Sequence, residues 1–181
     1  MSVEYAVLRV SAAEFDALGR DGPRLSDLMD DLYGSPSAVD SRAAYRDGLP
    51  REVAAPCLLH ADEFTTSLLV SFLEGEETPM FDALVGWGRS HQMDGVVYGA
   101  GAVAYYTPPE AAAVCERLNR FPDAELDRRL QDRAGQFRQA AASLFVDDDA
   151  ILAHQRAFAH VLRRLYQSAV DAREFVLLMI V

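Results

Sequence analysis

Trp87, Arg89 and His91 fall within one glycine-punctuated stretch, Gly86-Trp-Gly-Arg-Ser-His-Gln-Met-Asp-Gly95, and Tyr98, Tyr105 and Tyr106 follow closely. An indole, a guanidinium and an imidazole on a connection, with phenols nearby, can line a ligand pocket. Aromatic bodies with polar tips bury area and still offer hydrogen bonds. Trp87, Arg89, His91, Tyr105 and Tyr106 are therefore the candidate site residues. A plainer account, which these residue types favour, puts Trp87 and the tyrosines at the rim of the core and turns His91 to water. The two accounts differ in geometry. A ligand site requires the side chains to converge on one concavity, with His91 in hydrogen-bond reach of a polar partner.

Other arrangements are weaker. Gly99-Ala-Gly101-Ala-Val-Ala104 fits the dinucleotide pattern GxGxxA. That chemistry needs the last position inside a helix whose amino end faces the pyrophosphate, whereas here it lies in the strand-like Val103-Ala-Tyr-Tyr106. The glycines are expected to turn or bulge the chain between strands. Cys57, His60 and Asp62 are the residue types of a nucleophilic triad, but triads are assembled from distant segments and no strand–turn–helix elbow surrounds them. Asp147, Asp148 and Asp149 with His154 suggest metal ligands only superficially: consecutive helical residues point about 100° apart, and acids there suit a helix amino end. His154 and His160 are six apart and do not form an i, i+4 zinc pair. The expectation is no cofactor and no metal.

All seventeen basic residues are arginine, which excludes a P-loop and a pyridoxal Schiff base, since both need lysine. The formal net charge is −11, with 16 acids against 7 arginines over residues 1–90 and 12 against 10 over 91–181. Such a charge repels phosphate backbones and anionic lipid, so neither nucleic acid nor membrane is an expected partner. Cys57 and Cys115 have no paired spacing, as in a reducing cytosol, and Met1-Ser-Val-Glu-Tyr-Ala-Val has no basic region followed by an apolar core, so no signal peptide is expected. A cytoplasmic location is expected.

These residues must be positioned by a mixed set of elements. Val3–Val10 reads as a strand, and Ser11-Ala-Ala-Glu14 and Thr107-Pro-Pro-Glu110 each match a capping box opening a helix. Helices are expected over Arg24–Tyr33, from Asp62 to about Gly75, over Pro79–Val85, from Asp123, and, less regularly, over Phe137–Val146. Residues 41–56 read as a loop, and Val96–Tyr98 and Val103–Tyr106 as short strands around Gly99 and Gly101. A long amphipathic helix from Asp147 leads to Phe175–Val181, an apolar run without alternation, as in a strand buried on both faces. No linker or repeat divides the 181 residues. The sum is one α+β domain, residues 1–181, with a small mixed or antiparallel sheet that holds both terminal strands under several helices.

Ala104-Tyr-Tyr-Thr-Pro-Pro-Glu-Ala-Ala-Ala-Val, Asp123-Ala-Glu-Leu126 with Leu130, and Ile151–Val181 together resemble the YfbM-like bacterial family, a domain of unknown function. Within the last segment, Arg163, Leu165 and Tyr166 match the closing helix, and Ala172–Leu178 the last strand. Residues 79–88 match more loosely around Gly86. The family carries a Trp and a Leu-His pair in the helix that here corresponds to Thr65–Gly75, which has neither. The resemblance implies a small cytoplasmic α+β protein and no reaction.

With the familiar catalytic constellations missing and the first half strongly acidic, the expected role is a non-enzymatic interaction module of the inhibitor or immunity type. An acidic face speeds docking onto a basic partner protein. The alternative is a small-ligand binder or enzyme using Trp87–His91 and Tyr105–Tyr106. Homodimerisation is left open.

Overall fold

A computed structural model of the chain describes residues 4–40, 53–61, 79–86, 90–99, 101–132 and 148–181. The elements are β1 (Tyr5–Val10), α1 (Ala12–Arg20), α2 (Arg24–Tyr33), β2 (Ala38–Asp40), β3 (Leu58–Ala61), α3 (Pro79–Leu84), β4 (His91–Tyr98), β5 (Gly101–Tyr106), α4 (Pro108–Arg120), α5 (Asp123–Asp132), α6 (Asp148–Ala172) and β6 (Phe175–Ile180). Among the described residues, six strands form one sheet in the order β2-β3-β1-β6-β5-β4, in which β2 and β3 are parallel and the other neighbours antiparallel. The architecture is the expected α+β, and the two terminal strands are central neighbours. β1 and β6 pair antiparallel from Tyr5↔Ile180 to Val10↔Phe175.

The apolar run of β6 follows from that placement. Leu177 and Met179 face α1 and α2, joining Leu8, Leu18, Leu25 and Met29 in one buried cluster. Val176 and Leu178 face the opposite way, against Leu84, Val114, Phe158 and Leu162 of α3, α4 and α6. Each face thus gains the burial of large side chains, about 1.5–3 kcal/mol apiece. α1 begins at its capping box: the Glu14 amide donates to Ser11 Oγ (3.3 Å), and the Ser11 amide donates to Glu14 Oε2 (2.8 Å).

Several expectations are corrected. The sequence reading gives no strand near residues 38–61, yet Ala38–Asp40 and Leu58–Ala61 pair as β2 and β3 at one margin of the sheet. Glycine punctuation marks the stretch to Gly95 as a connection, but β4 already begins at His91. Its ladder to β5 is broken: His91↔Tyr105 and Gln92↔Ala104 are followed only by Val97↔Ala102 and Tyr98↔Gly101. Residues 93–96 stand opposite Val103 alone, and Gly95 takes φ +74° there. A bulge of this kind breaks the period-two pattern by which a strand is recognised. The helix expected from Asp62 and the one over Phe137–Val146 lie outside the described residues.

Candidate functional site

Two of the five candidate side chains come together. His91 opens β4 directly across from Tyr105 on β5, and their rings lie 5.2 Å apart. Tyr105 meets Phe15 of α1 edge-on at 4.8 Å, and Phe15 stacks on Phe175 of β6 at 4.0 Å. His91 also has a polar partner, its Nε2 lying 2.8 Å from Glu110 Oε1. Glu110 is held by its place in the α4 cap, where its Oε2 accepts from the Thr107 amide (2.9 Å) and hydroxyl (2.6 Å). Partial burial opposes ionisation of Glu110, but the Thr107 hydrogen bonds and His91 together outweigh it and keep its pKa below the ordinary value.

Tyr106 is elsewhere. Successive strand residues alternate faces, so its ring enters the cluster under α3, α4 and α6. There its hydroxyl donates to the Asp82 carbonyl (3.0 Å), and the Tyr166 hydroxyl donates to the next carbonyl, Ala83 (2.8 Å). Burial drives the Tyr166 pKa well above its usual value, so its phenol stays a neutral donor to the end of α3. The Asp82 carboxylate pairs with Arg117 of α4 at 2.7 Å. Trp87 and Arg89 lie outside the described residues. On either side of them, the Ser90 amide donates to the Gly86 carbonyl (3.0 Å).

His60 lies close to Cys57 and Asp62 in sequence, and the fold gives its ring Glu4, Asp40 and Tyr33 as neighbours. Fully buried on β3, it lies with Nε2 3.0 Å from Glu4 Oε2 and Nδ1 3.4 Å from Asp40 Oδ1, under the edge of the Tyr33 ring. The carboxylates approach opposite nitrogens, so they cannot converge with the ring on one ion. Cys57 is half-buried with its Sγ 3.1 Å from Ser37 Oγ, and Cys115 is buried. No group of three or more His, Cys, Asp or Glu suited to a metal occurs among the described residues. Gly99, at φ +58°, starts the β4–β5 turn, as the strand reading of GxGxxA requires.

Charge separates the two faces. On the side of α4, α5 and α6, four acids are matched with arginines: Glu125 with Arg128 (2.8 Å), Asp127 with Arg156 (2.7 Å), Glu116 with Arg120 and Asp123 with Arg163, while Asp171 accepts from the Gln167 side-chain amide (2.9 Å). On the other side, Asp16, Asp21, Asp27, Asp30 and Asp31 of the α1–α2 segment are exposed and form no ion pair with any described residue. Asp94 on β4 is also exposed and unpaired in the same sense. The Gly22 turn between α1 and α2 packs on β4, where a Cβ at Gly22 would lie 3.4 Å from the Gly95 carbonyl.

β4 lies at the margin of the sheet, so its outer edge carries no neighbouring strand among the described residues. Val97 on it is 68% exposed. Beside it, between the β4–β5 hairpin and the end of α3, lies a cleft of about 130 Å³ lined by Leu84, Val85, Gln92, Ala104, Leu178 and others.

No family model matches the chain, and no curated protein is found to be similar to it. Among solved structures it is similar to the crystal structure of YfbM from Escherichia coli, a protein of unknown function, with 15% identity over 100% of both chains and a TM-score of 0.52. The likeness is one of fold, and the YfbM-like resemblance of the sequence holds at that level. No helix among the described residues is long and apolar enough to cross a membrane.

Proposed function

We propose that the protein is a non-enzymatic interaction module that docks a basic partner protein through the α1–α2 face. The observation that carries this reading is the uneven pairing of charge. Glu116, Asp123, Glu125 and Asp127 of the α4–α6 side are each paired with an arginine, while five exposed aspartates of the α1–α2 segment pair with no described residue and have only Arg20 and Arg24 among them. Unpaired like charges repel one another, and a cationic surface relieves that repulsion while steering the encounter. The regulatory class that fits is an inhibitor or immunity-type partner, in a cytoplasmic setting. The test is affinity capture from lysate with the wild-type chain and with an Asp27→Asn/Asp30→Asn/Asp31→Asn variant. A basic protein retained by the wild type, released by salt and lost with the variant supports the reading. Equal recovery on both, or nothing above background, overturns it.

A second reading rests on the His91–Glu110 contact, which gives an imidazole beside Tyr105 the polar partner that a ligand site requires. In it, His91 and Tyr105, with Trp87 and Arg89, contact a small ligand. Tyr106 stays in the core beneath. A panel of small metabolites that shifts neither the His91 ring protons nor the Tyr105 ring in NMR titration would end this alternative.

A further inference from the structure

We propose that the outer edge of β4 receives an extended segment of a partner protein in which basic and apolar residues alternate. The inference rests on the reading above that the partner is basic, and it adds where and in what conformation the partner binds.

The two faces at that edge have different surroundings. A strand added beside β4 continues the sheet, hydrogen-bonds through its main chain and sends alternate side chains to opposite faces. On one face lie the exposed Val97 and, directly across from it, the exposed Ala102, next to the cleft lined by Leu84, Val85 and Leu178. Side chains sent to this side meet apolar surface. On the other face, Tyr98 packs with the α1–α2 cluster, and the α1–α2 turn rests on Gly95. Asp30 lies near enough to Tyr98 to act on its phenol, whose pKa is raised first by burial and then by that charge. Side chains sent to this side meet the carboxylate of Asp30, which forms no ion pair with any described residue. Alternation of basic with apolar residues satisfies both faces at once.

The bulge over residues 93–96 limits how much of the edge is regular. Only His91–Gln92 and Val97–Tyr98 keep ladder geometry with β5. A long flat edge invites indiscriminate pairing, and a bulge blunts it. Self-association through this edge is also opposed, because a second copy would bring Asp94 and the α1–α2 aspartates against their own kind.

The test uses two synthetic peptides of identical composition, one alternating Arg and Val and one with the arginines and valines in separate blocks. Each is titrated into the ¹⁵N-labelled full chain. The expected result is that the alternating peptide shifts the amides of Gln92, Val97 and Tyr98 together with Asp30, and binds about tenfold more tightly than the block peptide, since only it can satisfy both faces. Equal affinities, or shifts confined to α1 and α2, overturn the edge assignment and leave the acidic docking face standing. Absence of binding by the alternating peptide also overturns it, while the basic-partner reading is decided separately by the capture experiment.

Discussion

Tyr105 and Tyr106 are adjacent in the chain and lie on opposite faces of the sheet: Tyr105 against Phe15, with its ring 4.8 Å away, and Tyr106 against α3, its hydroxyl 3.0 Å from the Asp82 carbonyl. One phenol is therefore available beside His91, and the other is committed to holding the end of α3. Together with Tyr166, Tyr106 fixes two consecutive carbonyls just before Gly86. The entry to the Trp87–Arg89 stretch is thus anchored from within the core.

Tyr106→Phe and Tyr166→Phe are each expected to cost about 1–2 kcal/mol, because each leaves a carbonyl of α3 without its donor in a buried place. Thermal melts check this, and the double variant should lose less than the sum, since the two donors serve one turn of helix. Unchanged melting of either variant would show that its hydroxyl adds nothing.

Leu178 faces the core at the middle of β6, with its neighbours Leu177 and Met179 facing the other cluster. Leu178→Ala is expected to destabilise by about 2–5 kcal/mol, the range for emptying a buried leucine site. Leu178→Asp should leave the chain insoluble. Denaturant unfolding and expression tests measure these outcomes, and a soluble Asp variant that melts like the parent contradicts the central place of β6.

Much of this was legible in the residues. Both capping boxes place reciprocal oxygens three residues apart, and both form at Ser11–Glu14 and Thr107–Glu110. The unbroken apolar run of β6 required two covered faces, and it has them. β3 was not legible because Leu58–Ala61 is four residues long and buried throughout, too short to show any period. The start of β4 was hidden by its bulge. The pairing of His91 with Glu110 crosses nineteen residues and depends on register, and the sorting of charge between faces depends on which helices cover which side. Neither has a local signal.

Glycine substitutions should separate strain from clash. Gly95 and Gly99 both have positive φ, but a Cβ at Gly95 meets open space, whereas at Gly99 it would lie 2.6 Å from the Ile180 carbonyl oxygen. Gly95→Ala is expected to cost about 1 kcal/mol, the left-handed penalty alone. Gly99→Ala should cost clearly more, because backbone must move. Equal melting temperatures for the two variants would count against the packing of the hairpin turn on the end of β6.

Glu110 links the α4 cap to acid stability. Its folded pKa lies below the ordinary value of 4.5, so its ionised form stabilises the fold fully above that pH. The contribution is lost as pH falls through the lowered folded value. Glu110→Gln should therefore flatten the loss of stability as pH falls below 4.5, besides costing about 1 kcal/mol near neutrality through the weakened cap. Chemical denaturation across that range reads both effects. A variant with the parent's acid slope would show that Glu110 is not linked to folding in this way.

In the proposed role, α1–α2 aspartates that form no ion pair with any described residue attract a basic partner. The most direct measurement is the association rate of the captured partner with the wild-type chain and with the Asp27→Asn/Asp30→Asn/Asp31→Asn variant, followed from low to high salt. The account predicts a wild-type rate about tenfold or more above the variant's at low ionic strength, with the two converging as salt screens the face. Rates that match at every salt concentration would contradict it.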